Sequence, residues 1–302
     1  MKKTSDVNRI FHLEKDWFML FAQGLVADVA TSSLAKHDAF PVSSAHVVDL
    51  QKHELVEPYD TDQLFIKIHG CFMTFAWMFC ASIGIVISRF YKPIWPSAMI
   101  CGRKVWYTVH RFLLGLLGVL VIAAFVIIFV EVQGLSEISV LNIEKLHPVI
   151  GIIVTFLTIV NICMGTCRPG YDSKHRPIFN WAHWCVGILD HMIAVVNIVL
   201  GVRLKKAGIH DYITYIIYCY AIYQVLIVII LEIAQCNSRV KERKQQTYMI
   251  YERRSTFNSS SRESAEDETE PPGSFFRKVV LKLHILVITA MTAAVVAIIA
   301  LS

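Results

Sequence analysis

Four histidines occupy matching places in four long apolar stretches: His69, His110, His147 and His183, each near the start of its stretch. An imidazole inside a bilayer-spanning segment is costly, so its default reading is functional. Consecutive spans run in opposite directions, which puts His69 and His147 at one membrane level and His110 and His183 at the other. Two imidazoles at one level can ligate a planar metal centre from its two sides. Two such pairs at opposite levels suit two six-coordinate haems stacked across the bilayer. A bare zinc or copper site would need three or four ligands at one level, and the alternation of spans separates these four.

Glycines accompany the histidines. Gly151 and Gly187 fall four residues after His147 and His183, one turn along the same helical face. Gly70 follows His69, and Gly115 and Gly118 follow His110. Missing side chains there would let a macrocycle lie against backbone; close helix packing is the plainer explanation for each glycine alone. Asp190 and His191 are neighbours deep in the fourth stretch and suggest a proton relay, though adjacent residues point about 100° apart on a helix. His284 reads as interfacial, and His12, His46, His53, His175 and His210 as solvated.

The elements that must position these residues are membrane helices. The chain has 302 residues, is 55% hydrophobic and has a mean hydropathy of +0.51. A soluble domain is rarely this apolar. Apolar runs at Phe72–Ile87, Phe112–Val130, Val149–Met164, Trp184–Val202, Tyr212–Ile233 and Val279–Leu301 approach, with their flanks, the roughly 20 residues a bilayer demands. The expected fold is an all-α integral membrane bundle, six helices running up and down, with a four-helix dihaem core and a short β remnant at the N-terminus. Residues 64–236 would form a five-helix core, 237–276 a disordered cytosolic loop and 277–302 the sixth helix. Residues 1–60 are not membrane-like: Trp17–Gly24 and Ser44–Leu50 read as strands ending a larger β-sandwich. The eight cysteines offer neither zinc spacing nor a disulfide framework.

Loop charges set the expected orientation. The loop from Arg89 to Trp106 is basic and acid-free, and Cys167–Asn180 is mostly basic, which places both in the cytosol. Glu131–Lys145 is mostly acidic and would lie outside, with the N-terminus. That end lacks a secretory leader, so a fragment of a longer precursor is the favoured expectation. Arg103, Lys104, Arg168 and Lys174 are candidate contacts for an anionic cytosolic donor. Arg203, Lys205 and Lys206 lie on the outer side against the rule, either as interfacial anchors or as an attraction for anions.

Lys67-Ile-His-Gly70, Thr108-Val-His-Arg111, Lys145-Leu-His-Pro148 and the run from Arg168-Pro-Gly to Phe179-Asn-Trp-Ala-His-Trp-Cys-Val-Gly187 resemble the cytochrome b561 core of ferric-chelate reductase-like proteins, over about residues 64–235. In that family the core follows an extracytoplasmic DOMON β-sandwich. The resemblance implies two b-type haems per chain, one on His69 and His147 at the outer side and one on His110 and His183 at the cytosolic side. It implies electron transfer from ascorbate or a similar cytosolic donor to a ferric chelate or other outside acceptor, in a plasma or endomembrane. Residues 11–50 resemble closing DOMON strands; His37 falls where haem-binding members place a ligand, but its methionine partner would lie in strands this chain lacks. The expected partners are lipid, donor and acceptor, with no nucleic acid; a homodimer is among the assemblies admitted. Two other readings compete. A proton-coupled transporter would need broken spans and deep carboxylates. A redox-inactive receptor or scaffold would not need four histidines.

Overall fold

The computed structural model describes strand residues 17–21, 26–28, 33–34, 42–49 and 54–56, and residues 64–132, 143–170, 172–204, 207–255 and 270–302. The chain divides into two units, Met1–Gln63 and Leu64–Ser302. In the first, β1 (Trp17–Phe21), β4 (Val42–Asp49) and β5 (Glu54–Val56) form an antiparallel sheet in the order β1-β4-β5. There β2 (Val26–Asp28) pairs with β3 (Ser33–Leu34). His37, like Lys205 and Lys206, lies outside the described residues.

Six helices of the second unit are long and apolar enough to cross a membrane: α1 (Leu64–Phe90), α2 (Val105–Val132), α3 (Ile143–Thr166, opening with a 3₁₀ turn), α4 (Arg176–Val202), α5 (Ile213–Ser255) and α6 (Ser274–Leu301). The chain is a multi-pass helical membrane protein. Phe112, Val119, Val126 and Phe156 are exposed on the bundle's outside, where lipid, equally apolar, covers them at no hydrophobic cost. Pro148 sits in the first α-helical turn of α3, which follows its 3₁₀ opening, and Pro177 in the first turn of α4, where a missing N–H costs nothing. A two-strand hairpin, β6 (Met99–Ile100) and β7 (Arg103–Lys104), joins α1 to α2. Its turn residues Cys101 and Gly102 both have positive φ, 51° and 70°, the geometry that matches strand twist.

Three features depart from the sequence expectation. First, α1 is not uniform: Phe75–Ala81 is π-helical between α-helical ends. Trp77, Met78, Cys80 and Ala81 are all buried there, so tertiary packing, invisible to a 3.6-residue period, selects the wider turn. The span stays continuous, unlike the broken helices of a transporter site. Second, the segment expected to be disordered from residue 237 begins as helix, because α5 continues to Ser255. Ser238-Arg-Val-Lys-Glu-Arg-Lys-Gln-Gln has no glycine or proline and is rich in strong helix formers. Arg277 on α6 ties to it, with Nη2 3.3 Å from Ser238 Oγ; residues 256–269 lie outside the described residues. Third, His284 is buried rather than interfacial. Helix α6 starts at Ser274, so His284 stands about 15 Å along it at 1.5 Å per residue.

Candidate functional site

The bundle gathers the four histidines as two pairs. The rings of His69 (α1) and His147 (α3) have centroids 6.2 Å apart with planes at 87°. Those of His110 (α2) and His183 (α4) are 6.5 Å apart at 83°. The pairs are well separated: His183 contributes to one, while the α4 segment against His147 centres on Asn197, 14 residues later, or about 21 Å along the axis.

Backbone carbonyls of facing helices hold three of the rings. His69 Nδ1 donates to the Ala124 carbonyl (2.9 Å), His110 Nδ1 to that of Gly84 (2.9 Å) and His147 Nδ1 to that of Asn197 (3.0 Å). A carbonyl can only accept, so in each ring Nδ1 carries the proton and Nε2 keeps its lone pair, the tautomer a metal-ligating histidine needs. The Asn161 carbonyl faces His183, but His183 Nδ1 is buried with no partner in hydrogen-bonding geometry.

The separation of each pair fits an iron between the rings. Two metal–imidazole bonds of about 2 Å each, plus two ring radii, span roughly 6 Å. A cavity of about 170 Å³ adjoins the first pair, lined by His69, His147, Trp77, Phe125, Phe129 and Gly201 among others. Its walls are predominantly apolar, as those of ligand pockets are. Among the described residues no group of three or more His, Cys, Asp or Glu side chains could hold a bare metal ion, and all eight cysteines are free. Paired imidazoles of this kind suit haem iron better than a polynuclear or zinc-type site.

The glycines work differently from expectation. A Cβ on Gly151 would meet the Asn197 amide at 3.4 Å, and one on Gly187 the Asn161 amide at 2.8 Å. Those two glycines admit asparagines from the facing helix, and Gly151 also lines the cavity beside His69 and His147. Gly70 and Gly118 are filled by Ile299 and Ile162, whereas nothing lies within 4 Å of a Cβ on Gly115. The histidines themselves press on two glycines that sequence reasoning passed over: Gly201 against His147 and Gly165 against His183.

Asp190 and His191 diverge, as the 100° offset requires. Thr158 Oγ1 donates to Asp190 Oδ2 (2.9 Å) on the α3 side, while His191 Nε2 meets Tyr220 Oη (3.2 Å) on α5. They form no relay with each other. His284 sits between Ser82 Oγ (3.3 Å) and Tyr223 Oη (3.2 Å).

Among the basic candidates, Arg103, Lys104 and Lys174 are exposed, and Arg103 stacks over Tyr107 at 5.6 Å. Arg168 gives Nε and Nη2 to Asn180 Oδ1 (3.2 and 2.8 Å), which folds the α3–α4 loop back on α4. Arg203 faces Glu144 at 3.6 Å, so its charge is already partly answered. Lys92 enters the sequence reading only as one charge of the basic Arg89–Trp106 loop, yet with Arg168 it lies close enough to act electrostatically on both His110 and His183. Partial burial, then Arg168 and Arg89, hold the Lys92 ammonium below its ordinary pKa.

Comparison with known proteins gives the family. Residues 68–209 match the family model described as eukaryotic cytochrome b561. The chain is 31% identical over 231 residues to a putative ferric-chelate reductase 1 homolog of Drosophila melanogaster, covering 76% of this chain and 34% of that protein. It is 30% identical over 276 residues to a putative ferric-chelate reductase 1 of Xenopus laevis (91% and 44%), and 31% identical over 205 residues to human ferric-chelate reductase 1 (68% and 33%). The chain thus spans between a third and a half of the length of these relatives. No solved structure matches it. With six apolar helices, paired intramembrane histidines and a matching domain across residues 68–209, the chain belongs to the cytochrome b561 family.

Proposed function

We propose that this chain carries electrons across a membrane through two b-type haems, from a cytosolic donor such as ascorbate to an extracytoplasmic acceptor, with ferric chelate as substrate. His69 and His147 would hold the outer haem, and His110 and His183 the cytosolic one. The observation that carries the reading is the pair of crossed imidazole couples, each roughly 6 Å across and about 21 Å from the other along α4. When bound, haem supplies a one-electron ferric/ferrous couple whose potential its ligands and surroundings tune.

The remaining work falls to the chain. Carbonyls of Ala124, Gly84 and Asn197 keep the proton on Nδ1 and so keep Nε2 basic. Apolar walls such as Phe125 and Phe129 exclude water beside the outer pair. Lys92 and Arg168 raise the local concentration of an anionic donor near His110 and His183. This supports assigning the α1–α2 and α3–α4 loops to the cytosol. No acid, base or nucleophile is needed for electron transfer. Names of relatives as ferric-chelate reductases support the choice of substrate, and the β-strands of residues 17–56 support a DOMON origin for that unit.

The test uses purified full-length protein in sealed vesicles, with ascorbate on one face and a ferric chelate on the other. The visible spectrum should show low-spin haem reduced by ascorbate, and ferrous iron should appear on the far side. Haem-free protein, or haem that ascorbate reduces without any transfer across the vesicle, would overturn the proposal.

A further inference from the structure

Helices α3 and α4 carry the same pattern. In α3 it is His147, Gly151, Asn161, Gly165; in α4 it is His183, Gly187, Asn197, Gly201. The spacings of 4, 10 and 4 residues are identical. At 3.6 residues per turn all four positions of one helix fall within about 40° of one face. The two helices are antiparallel neighbours, so the histidine half of each meets the asparagine half of the other.

Contacts repeat with the sequence. The Asn197 amide packs on Gly151 and the Asn161 amide on Gly187; the His147 ring packs on Gly201 and the His183 ring on Gly165. A pseudo-twofold axis between α3 and α4 exchanges the two sets. An asparagine offers both a donor and an acceptor, and Asn197 uses both. With the amide oriented by its partners, Nδ2 donates to the His147 carbonyl (3.1 Å) and lies 3.2 Å from His147 Nδ1, and Oδ1 accepts from the Gly151 N–H (3.3 Å). Its own carbonyl takes the His147 Nδ1 proton. One residue therefore grips the His147 turn of α3 and the face of its imidazole through the side chain, and Nδ1 through the backbone. Asn161 stands in the equivalent place, its Oδ1 and the His183 Nδ1 both buried without partners.

We propose that Asn197 and Asn161 are positioning residues acting across the helix pair: the Asn197 side chain sets the ring orientation of His147, and the Asn161 side chain that of His183. The inference rests on the two-haem reading above. Each asparagine then governs the centre whose histidine lies on the other helix, and not the histidine of its own helix.

The test replaces each asparagine with leucine, similar in volume but unable to hydrogen-bond, and with alanine in case leucine prevents folding. Redox titration and low-temperature electron paramagnetic resonance of the purified haem-loaded chain follow each centre separately. Asn197→Leu should move the His69/His147 centre by about a tenfold change in its reduced-to-oxidised ratio at fixed potential, 59 mV for one electron, and leave the His110/His183 centre unmoved. Asn161→Leu should do the reverse. The unmoved centre in each variant certifies the fold. Equal shifts of both centres, no shift, loss of both centres in the leucine and alanine forms alike, or a shift at the same-helix histidine would overturn the proposal while leaving the two haems standing. An unsubstituted chain without haem would instead remove the reading beneath it.

Discussion

Gly201→Ala is the most economical probe of the ligand geometry, because the structure supplies its own control. A Cβ at residue 201 would lie 2.7 Å from His147 Cε1 and 3.0 Å from Nδ1. An ordinary carbon–carbon contact is about 3.5 Å, so the imidazole must retreat by about 0.8 Å. Its Nδ1 is held at 3.0 Å by the Asn197 carbonyl on the same helix as Gly201, and the ring has little freedom to comply. Overpacking of this kind costs about 1–3 kcal/mol, which is roughly a five- to hundredfold weakening of haem retention if it falls on the ligand. The equivalent substitution Gly165→Ala places its Cβ 3.5 Å from His183 Cε1, an ordinary contact, and should be nearly silent. Haem content per chain and the reduced absorption spectrum, measured on both purified variants, decide the matter. Gly201→Ala should lose or shift the His69/His147 centre alone. Equal damage from both alanines, or an untouched outer centre in Gly201→Ala, would refute the close approach on which the reasoning stands.

Other expectations follow from the same geometry. His110→Ala or His183→Ala should each remove one centre and stop transmembrane reduction, leaving the His69/His147 spectrum in place; haem stoichiometry and vesicle assays read both effects. His284→Ala takes a partner from Ser82 and Tyr223 and should lower stability by about 1–3 kcal/mol, seen as a lower thermal midpoint, while both haem spectra stay unchanged. Lys92→Gln should raise the KM for an anionic donor and flatten its dependence on ionic strength, whereas Lys174→Gln, at an exposed position, should change neither by more than about twofold.

Much of the architecture could be read from residues alone, for a physical reason. A bilayer forces long apolar helices, and their alternation sorts His69 with His147 and His110 with His183 before any coordinates exist. What lay beyond reach depends on contacts between helices. The π-helical Phe75–Ala81 comes from side chains packed all round the segment, which leave no periodic trace. The carbonyls of Ala124 and Gly84 accept imidazole protons through backbone, and backbone has no sequence signature. The asparagines are legible in principle, since the spacing His, Gly, Asn, Gly repeats in α3 and α4; the His–Gly half alone admits either a macrocycle or close packing, and only the full repeat sets Asn197 and Asn161 against Gly151 and Gly187. The continuation of α5 to Ser255 shows the opposite case: charged composition alone reads as disorder, although the stretch is rich in Lys, Arg, Glu and Gln, all strong helix formers, and holds no glycine or proline.

The central claim is that two crossed imidazole couples each hold one haem. Its most direct test is electron paramagnetic resonance of the oxidised, purified full chain, quantified against protein. Two low-spin ferric signals per chain, both with the strong anisotropy that near-perpendicular ligand planes of 87° and 83° impose, are expected. A single low-spin signal, a high-spin iron, or parallel-plane signals from both sites would contradict it.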